Sequence, residues 1–259
     1  MKYLTRQLWH DSQKGHIQFM LKANGEAKYF SEDYFQRLYQ DYMNNRMTGY
    51  LEWAEEDDLK RRSAEEFAAD GYLGQLFRLN RYLPPEIKDE IADIRVAALG
   101  FVTQDILEKI TAFCENIREK TGTVINMYEE YYKTIKNSIP KRIRTPLSRQ
   151  HDAHIKKIGA LNGDYIIETG QRYAGYAEYT ITFKNASIIQ DIEKSGLLSW
   201  SSYEIYLQNG GYEVHILFHV YYNSFEKDME HHLTDLIVFA EDIEVETVTH
   251  ELERYTEFL

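Results

Sequence analysis

Apolar residues recur one helical turn apart through the first half of the chain and at every second position beyond residue 146. In SEDYFQRLYQDYM, Tyr34, Phe35, Leu38, Tyr39, Tyr42 and Met43 form one stripe behind Ser31, a favoured N-cap residue. SAEEF sets Ser63 three residues ahead of Glu66, the spacing of a capping box, and Phe67, Leu73, Leu76 and Phe77 follow. LPPEIKDEIADIRVAALG predicts a helix opened by Pro84 and Pro85, striped by Ile87, Ile91, Ile94 and Ala98, and closed at Gly100. The longest stripe runs from Thr103 to about Asn137 through Ile106, Ile110, Phe113, Ile117, Val124, Tyr128, Tyr131 and Ile135. A single helix of that length spans ~50 Å at ~1.5 Å per residue, which makes Thr121-Gly122 a candidate bend.

KNSIPKRIRTP, residues 136–146, breaks the helical pattern with two prolines and a cluster of Lys136, Lys141, Arg142 and Arg144. It reads as a linker, either solvated or lying against the acidic part that follows. Beyond it the period is two. Tyr179, Ile181 and Phe183 of EYTITFK face one way, and Glu178, Thr180, Thr182 and Lys184 the other. Tyr203, Ile205 and Leu207 alternate with Glu204, Tyr206 and Gln208, which puts some charged residues on a solvent face beside tyrosines. Val214, Ile216, Phe218, Val220 and Tyr222 make a longer strand, LIVF at 236–239 reads as buried, and IEVETV at 243–248 alternates again. HELERYTEFL at the end reads as a short helix or a frayed end. The fold class is therefore α+β: a helical part over 1–140, then an antiparallel β-sandwich or rolled sheet over 147–259.

Charge sharpens this division. Residues 1–145 carry 22 Lys+Arg against 23 Asp+Glu, whereas residues 146–259 carry 8 against 19, so a net of −11 falls on the second part. Such a surface repels phosphate backbones, and no nucleic-acid partner is expected. Acidity serves solubility first, and it also suits docking of a basic protein. No run of 18 apolar residues exists, so no membrane span is expected. MKYLTRQLWHDSQKGH lacks the apolar stretch of a signal peptide, and the single cysteine, Cys114, cannot form an internal disulfide. Together these features point to the cytoplasm.

Candidate chemistry centres on His151-Asp152-Ala153-His154. These are metal-ligand residue types and also an acid/base pair. If the segment is extended, however, His151 and His154 point to opposite faces, and only Asp152 and His154 share one. The alternative is an aspartate that fixes the chain path at a strand entry. His215 and His219 share a strand face but lie ~13 Å apart at ~3.3 Å per residue, too far to chelate one ion. His231-His232 again points to both faces. Exposed or half-buried strand histidines are the simpler reading of both pairs. Cys114 falls on an apolar helix stripe and reads as an inert thiol. Ser195 and the Ser201-Ser202 pair lack a GxSxG context. The 21 tyrosines, with Trp9, Trp53 and Trp200, read as core before ligand groove. No catalytic residue and no cofactor follow from these patterns.

The start MKYLTRQLW, the proline-opened LPPEIKDEIADIRVAALG and the His-Asp opening HDAHIKKI resemble a bacterial family of unknown function. The resemblance spans most of the length and implies the same two-part organisation, with no activity to carry over. The second part also resembles β-domains of small bacterial interaction and immunity-like proteins, an analogy at the level of fold. The leading expectation is a non-enzymatic, cytoplasmic protein-interaction module with a basic partner. The alternatives are a metal-dependent enzyme using His151, Asp152 and His154, and a small-molecule module built on an aromatic groove between the parts.

Overall fold

Ser31 and Ser63 start helices, as their positions predict. In the computed structural model, which describes residues 1–54, 62–170, 178–193, 196–222 and 232–248, Ser31 accepts the Tyr34 N–H and opens α2 (Glu32–Trp53). Ser63 and Glu66 close a full capping box at the head of α3 (Ala64–Tyr82). Before them lies α1 (Arg6–Lys14). The chain divides into two compact units, one made of Trp9–Gly122 and the other of Met1–Leu8 with the chain from Thr123 onward.

In the helical unit the expected helix over 85–100 is two short ones, α4 (Pro85–Lys88) and α5 (Ile94–Ala98). The break has a local cause: the Asp93 side chain accepts the Arg95 N–H and starts a new helix. Gly100 follows with φ 97°, the left-handed conformation that a glycine cap supplies. It leads into β2 (Phe101–Val102), which pairs in parallel with β1 (Lys22–Ala23). Ile17, Leu79, Ala97, Ile110 and Cys114 are fully buried in this unit's core.

The longest helix, α6 (Gln104–Ile135), is uninterrupted through Thr121 and Gly122. The Thr121 hydroxyl donates to the Ile117 carbonyl one turn back. The proline-bearing segment after it is not a solvated linker. Residues Lys141–Leu147 form α7, and Ile139, Ile143 and Leu147, spaced four apart, are buried in the core of the β unit. The Arg142 guanidinium meets both Asp242 carboxylate oxygens at 2.8 Å and donates to the Ile243 carbonyl. Of the two readings of this segment, the one that lays it against the acidic part holds. The expected part boundary at 140–147 accordingly lies inside one unit.

The β unit is one eight-stranded antiparallel sheet among the described residues. Its strands are β3 (His154–Leu161), β4 (Asp164–Gly170), β5 (Glu178–Lys184), β6 (Ser187–Gln190), β7 (Leu197–Gln208), β8 (Gly211–Tyr221), β9 (His232–Ala240) and β10 (Asp242–Val248). Their order is β10-β5-β4-β3-β7-β8-β9-β6. Asn162 and Gly163, with φ of 52° and 88°, turn β3 into β4 as the primed hairpin turns require. β9 passes into β10 through Glu241 alone, yet the two pair in opposite halves of the order, and β5 contacts β9. The sheet therefore rolls over its core, where Ile167, Ile181, Phe183, Trp200, Ile216, Phe218 and Val238 are buried.

Candidate functional site

The residues of the His-Asp segment form a tight turn, not a strand. Asp152 takes φ 65°, His151 and Asp152 lie in the turn, and β3 begins only at His154. The turn brings His151 Nε2 to 3.6 Å from an Asp152 oxygen, while His151 Nδ1 contacts the Ser201 carbonyl at 2.8 Å. The Asp152 N–H donates to the Trp200 carbonyl and the Trp200 N–H to Ala153, so the segment seats the start of β3 against β7. His154 lies exposed across Gly170, where a Cβ would overlap its ring. Among the described residues no group of three or more His, Cys, Asp or Glu side chains is placed to hold a metal ion.

Of the other candidates, Cys114 is fully buried; burial raises its pKa, and its Sγ contacts the Lys14 carbonyl at 3.3 Å. His219 is half-buried and His231 lies outside the described residues, as does Ser195. His215 departs from the expectation: it is buried, 3% exposed. The cause is its neighbours on the outer face of the sheet, the face turned away from the apolar core.

That face carries a carboxylate cluster that the alternation of β7 only hinted at. Register places Glu204 of β7 opposite His215 of β8, Tyr206 opposite Glu213, and Leu217 of β8 opposite Asp235 of β9. Glu204 and Tyr206 are buried, not on an open solvent face as their alternation predicts, and so is Glu178 of β5. Glu178 meets Lys156 Nζ at 2.6 Å, whereas residues 2–6 lie against Glu204 and Tyr206. The backbone N–H groups of Lys2 and Tyr3 donate to Glu204 at 2.8 and 2.7 Å, and the Leu4 N–H donates to it as well. The Tyr206 hydroxyl adds a fourth donor at 2.8 Å. The side chains of the same segment meet the rest of the cluster. Lys2 Nζ lies 3.3 Å from Glu213 and 3.9 Å over the Tyr206 ring. Arg6 meets Asp235 at 3.0 Å and Glu193 at 3.1 Å.

Magnitudes rank these contacts. A hydrogen bond to a charged group contributes ~1.5–3 kcal/mol, while an ion pair open to solvent contributes ~0–1 kcal/mol. Lys2 and Arg6 keep half and a third of their side chains exposed, so the Glu204 bonds hold the segment and the two cations align it. Burial lowers the His215 pKa, although the 2.7 Å contact of its Nε2 with Glu213 works the other way. Burial opposes ionisation of Glu213, but His215 and Lys2 outweigh it and leave its pKa lowered. Burial and the bond to Glu204 keep the Tyr206 hydroxyl protonated well above its ordinary range. Tyr128 of α6 accepts the Ile205 N–H at 2.9 Å and so occupies the edge of β7 beside the cluster. Beside the segment, His215 Nδ1, 3.5 Å from Glu204 without a hydrogen bond, and Asp235 Oδ1 stay unsatisfied, as does Ser199 Oγ farther along β7.

A helical unit and a rolled antiparallel sheet with a carboxylate-lined outer face define an α+β protein. The chain belongs to the family described as a protein of unknown function, DUF4085, whose profile matches residues 29–226. The matched stretch includes Glu204, Glu213 and His215. No curated protein and no solved structure matches the chain. Among the described residues no helix is long and apolar enough to cross a membrane.

Proposed function

We propose that this protein is a non-enzymatic interaction module whose acidic sheet face binds a basic segment of another protein, in the cytoplasm. The carrying observation is that Glu204, Glu213, Asp235 and Glu193 converge on one face and there meet a lysine, an arginine and three backbone N–H groups. A carboxylate row of this kind attracts a cationic chain over long range and fixes it by backbone bonds at short range. The net charge of −11 over residues 146–259 extends the attraction beyond the groove and disfavours nucleic acid.

The test is titration of the full chain with decapeptides bearing Lys and Arg four residues apart, alongside duplex DNA and single-stranded RNA. Peptide binding is expected to weaken at least tenfold as NaCl rises from about 50 to about 500 mM, because exposed charge pairs are screened. Salt-insensitive peptide binding, or tight nucleic-acid binding at physiological salt, contradicts the reading.

A further inference from the structure

Resting on that reading, we propose that residues 2–6, Lys-Tyr-Leu-Thr-Arg, are a built-in occupant of the acidic groove, displaced when a basic segment of a partner protein binds. Three observations converge. First, the contacts have the pattern of peptide recognition, not of a packed core. Three successive backbone N–H groups serve one carboxylate, and two cations four residues apart reach carboxylates beyond it on either side. Backbone bonds of this kind accept any non-proline sequence, so the flanking charges carry the selectivity.

Second, the occupant fits the groove incompletely. His215 Nδ1 and Asp235 Oδ1 are buried there with no hydrogen-bond partner. Buried polar atoms are seldom left so. The His215 and Asp235 side chains are 4% and 14% exposed, so neither is solvated in compensation. A segment offering a hydroxyl or amide near Asp235 and His215 satisfies both, which residues 2–6 do not. Third, the cations of the segment remain partly in water while the groove carboxylates are largely buried, apart from Glu193. The groove is the preformed side and the segment the exchangeable one. Tyr3 and Leu4 bend the segment, the Thr5 N–H donates to the Tyr3 carbonyl, and Arg6 opens α1, so three successive N–H groups turn toward one carboxylate. The ligand class follows: a bent segment with Lys or Arg at its first and fifth positions, free N–H groups between them, and no acidic residue.

Tethering gives residues 2–6 an effective concentration that a free peptide must overcome. The experiment uses the full chain and the peptide MKYLTRQL labelled with a dye at its C-terminus. Fluorescence anisotropy is read for the wild type and for Lys2→Ala/Leu4→Pro/Arg6→Ala, which removes both cations and one N–H but leaves every groove residue in place. At least tenfold tighter binding by the variant is expected, lost again when Asp235→Asn and Glu213→Gln are added. Arg6→Ala alone, which leaves Glu204 fully bonded, is expected to bind about threefold tighter than wild type and serves if the triple variant does not fold. Equal binding by wild type and variants overturns the displaceable segment while leaving the acidic-face reading standing. No binding by a folded variant, together with no binding of other basic peptides, overturns both.

Discussion

A carboxylate withdrawn from water costs several kcal/mol unless its oxygens are saturated, and Glu204 meets that condition with four donors. The same balance accounts for the burial of His215: its Nε2 contacts Glu213 and its Nδ1 lies beside Glu204. Its lowered pKa sets a pH dependence with a definite sign. The unfolded chain protonates His215 from about pH 6.5 downward, while the folded chain holds it neutral to lower pH. Stability is then fully present above about pH 6.5 and falls as acid is added toward the folded pKa. Glu213, whose pKa is also lowered, acts in the same direction at lower pH, below the ordinary glutamate range. Urea unfolding at pH 7.5 and 5.5 is expected to show lower stability at 5.5, and His215→Gln to flatten that difference. An unchanged slope in His215→Gln means that other groups set the acid response. Little of this was legible in the sequence. A single glutamate in LLSWSSYEIYLQ reads as the polar half of an alternation, because its three backbone donors lie some 200 residues away in the chain.

At the scale of elements, local signals translated well where the cause was local. The capping residues Ser31 and Ser63 act as their positions predict, and EYTITFK buries Tyr179, Ile181 and Phe183 as its alternation demands. The misreadings came from treating breakers as decisive. Pro140 suits the head of a helix, where no intrahelical N–H is needed, so IPKRIRTPL still presents Ile139, Ile143 and Leu147 on one stripe. In the reverse sense the isoleucine stripe over 85–100 concealed Asp93, a capping residue that restarts the helix. One consequence concerns proteolysis. Cleavage after Lys141, Arg142 or Arg144 requires α7 to leave the core. Limited trypsin digestion is expected to spare these sites in the native protein while cutting others. Early cleavage there, giving one helical and one β-rich fragment, contradicts the packing of α7.

For the whole molecule, the two-part character was visible in the change of period and of charge, but the boundary was not. It depends on residues 1–8 belonging with the sheet, and that membership rests on long-range bonds to Glu204 that no periodicity encodes. The acidic balance beyond residue 146 was legible from composition; its convergence on one sheet face needed the register of β7, β8 and β9. The central claim is that this groove grips a basic chain through Glu204. Its most direct measurement is amide hydrogen exchange by NMR on the full chain at residues 2–4. Exchange at Tyr3 and Leu4 is predicted to be at least tenfold slower than in the free peptide MKYLTRQL, and the protection to be lost in Glu204→Gln. Exchange at the free-peptide rate in the wild type, or protection unchanged by Glu204→Gln, would contradict the account.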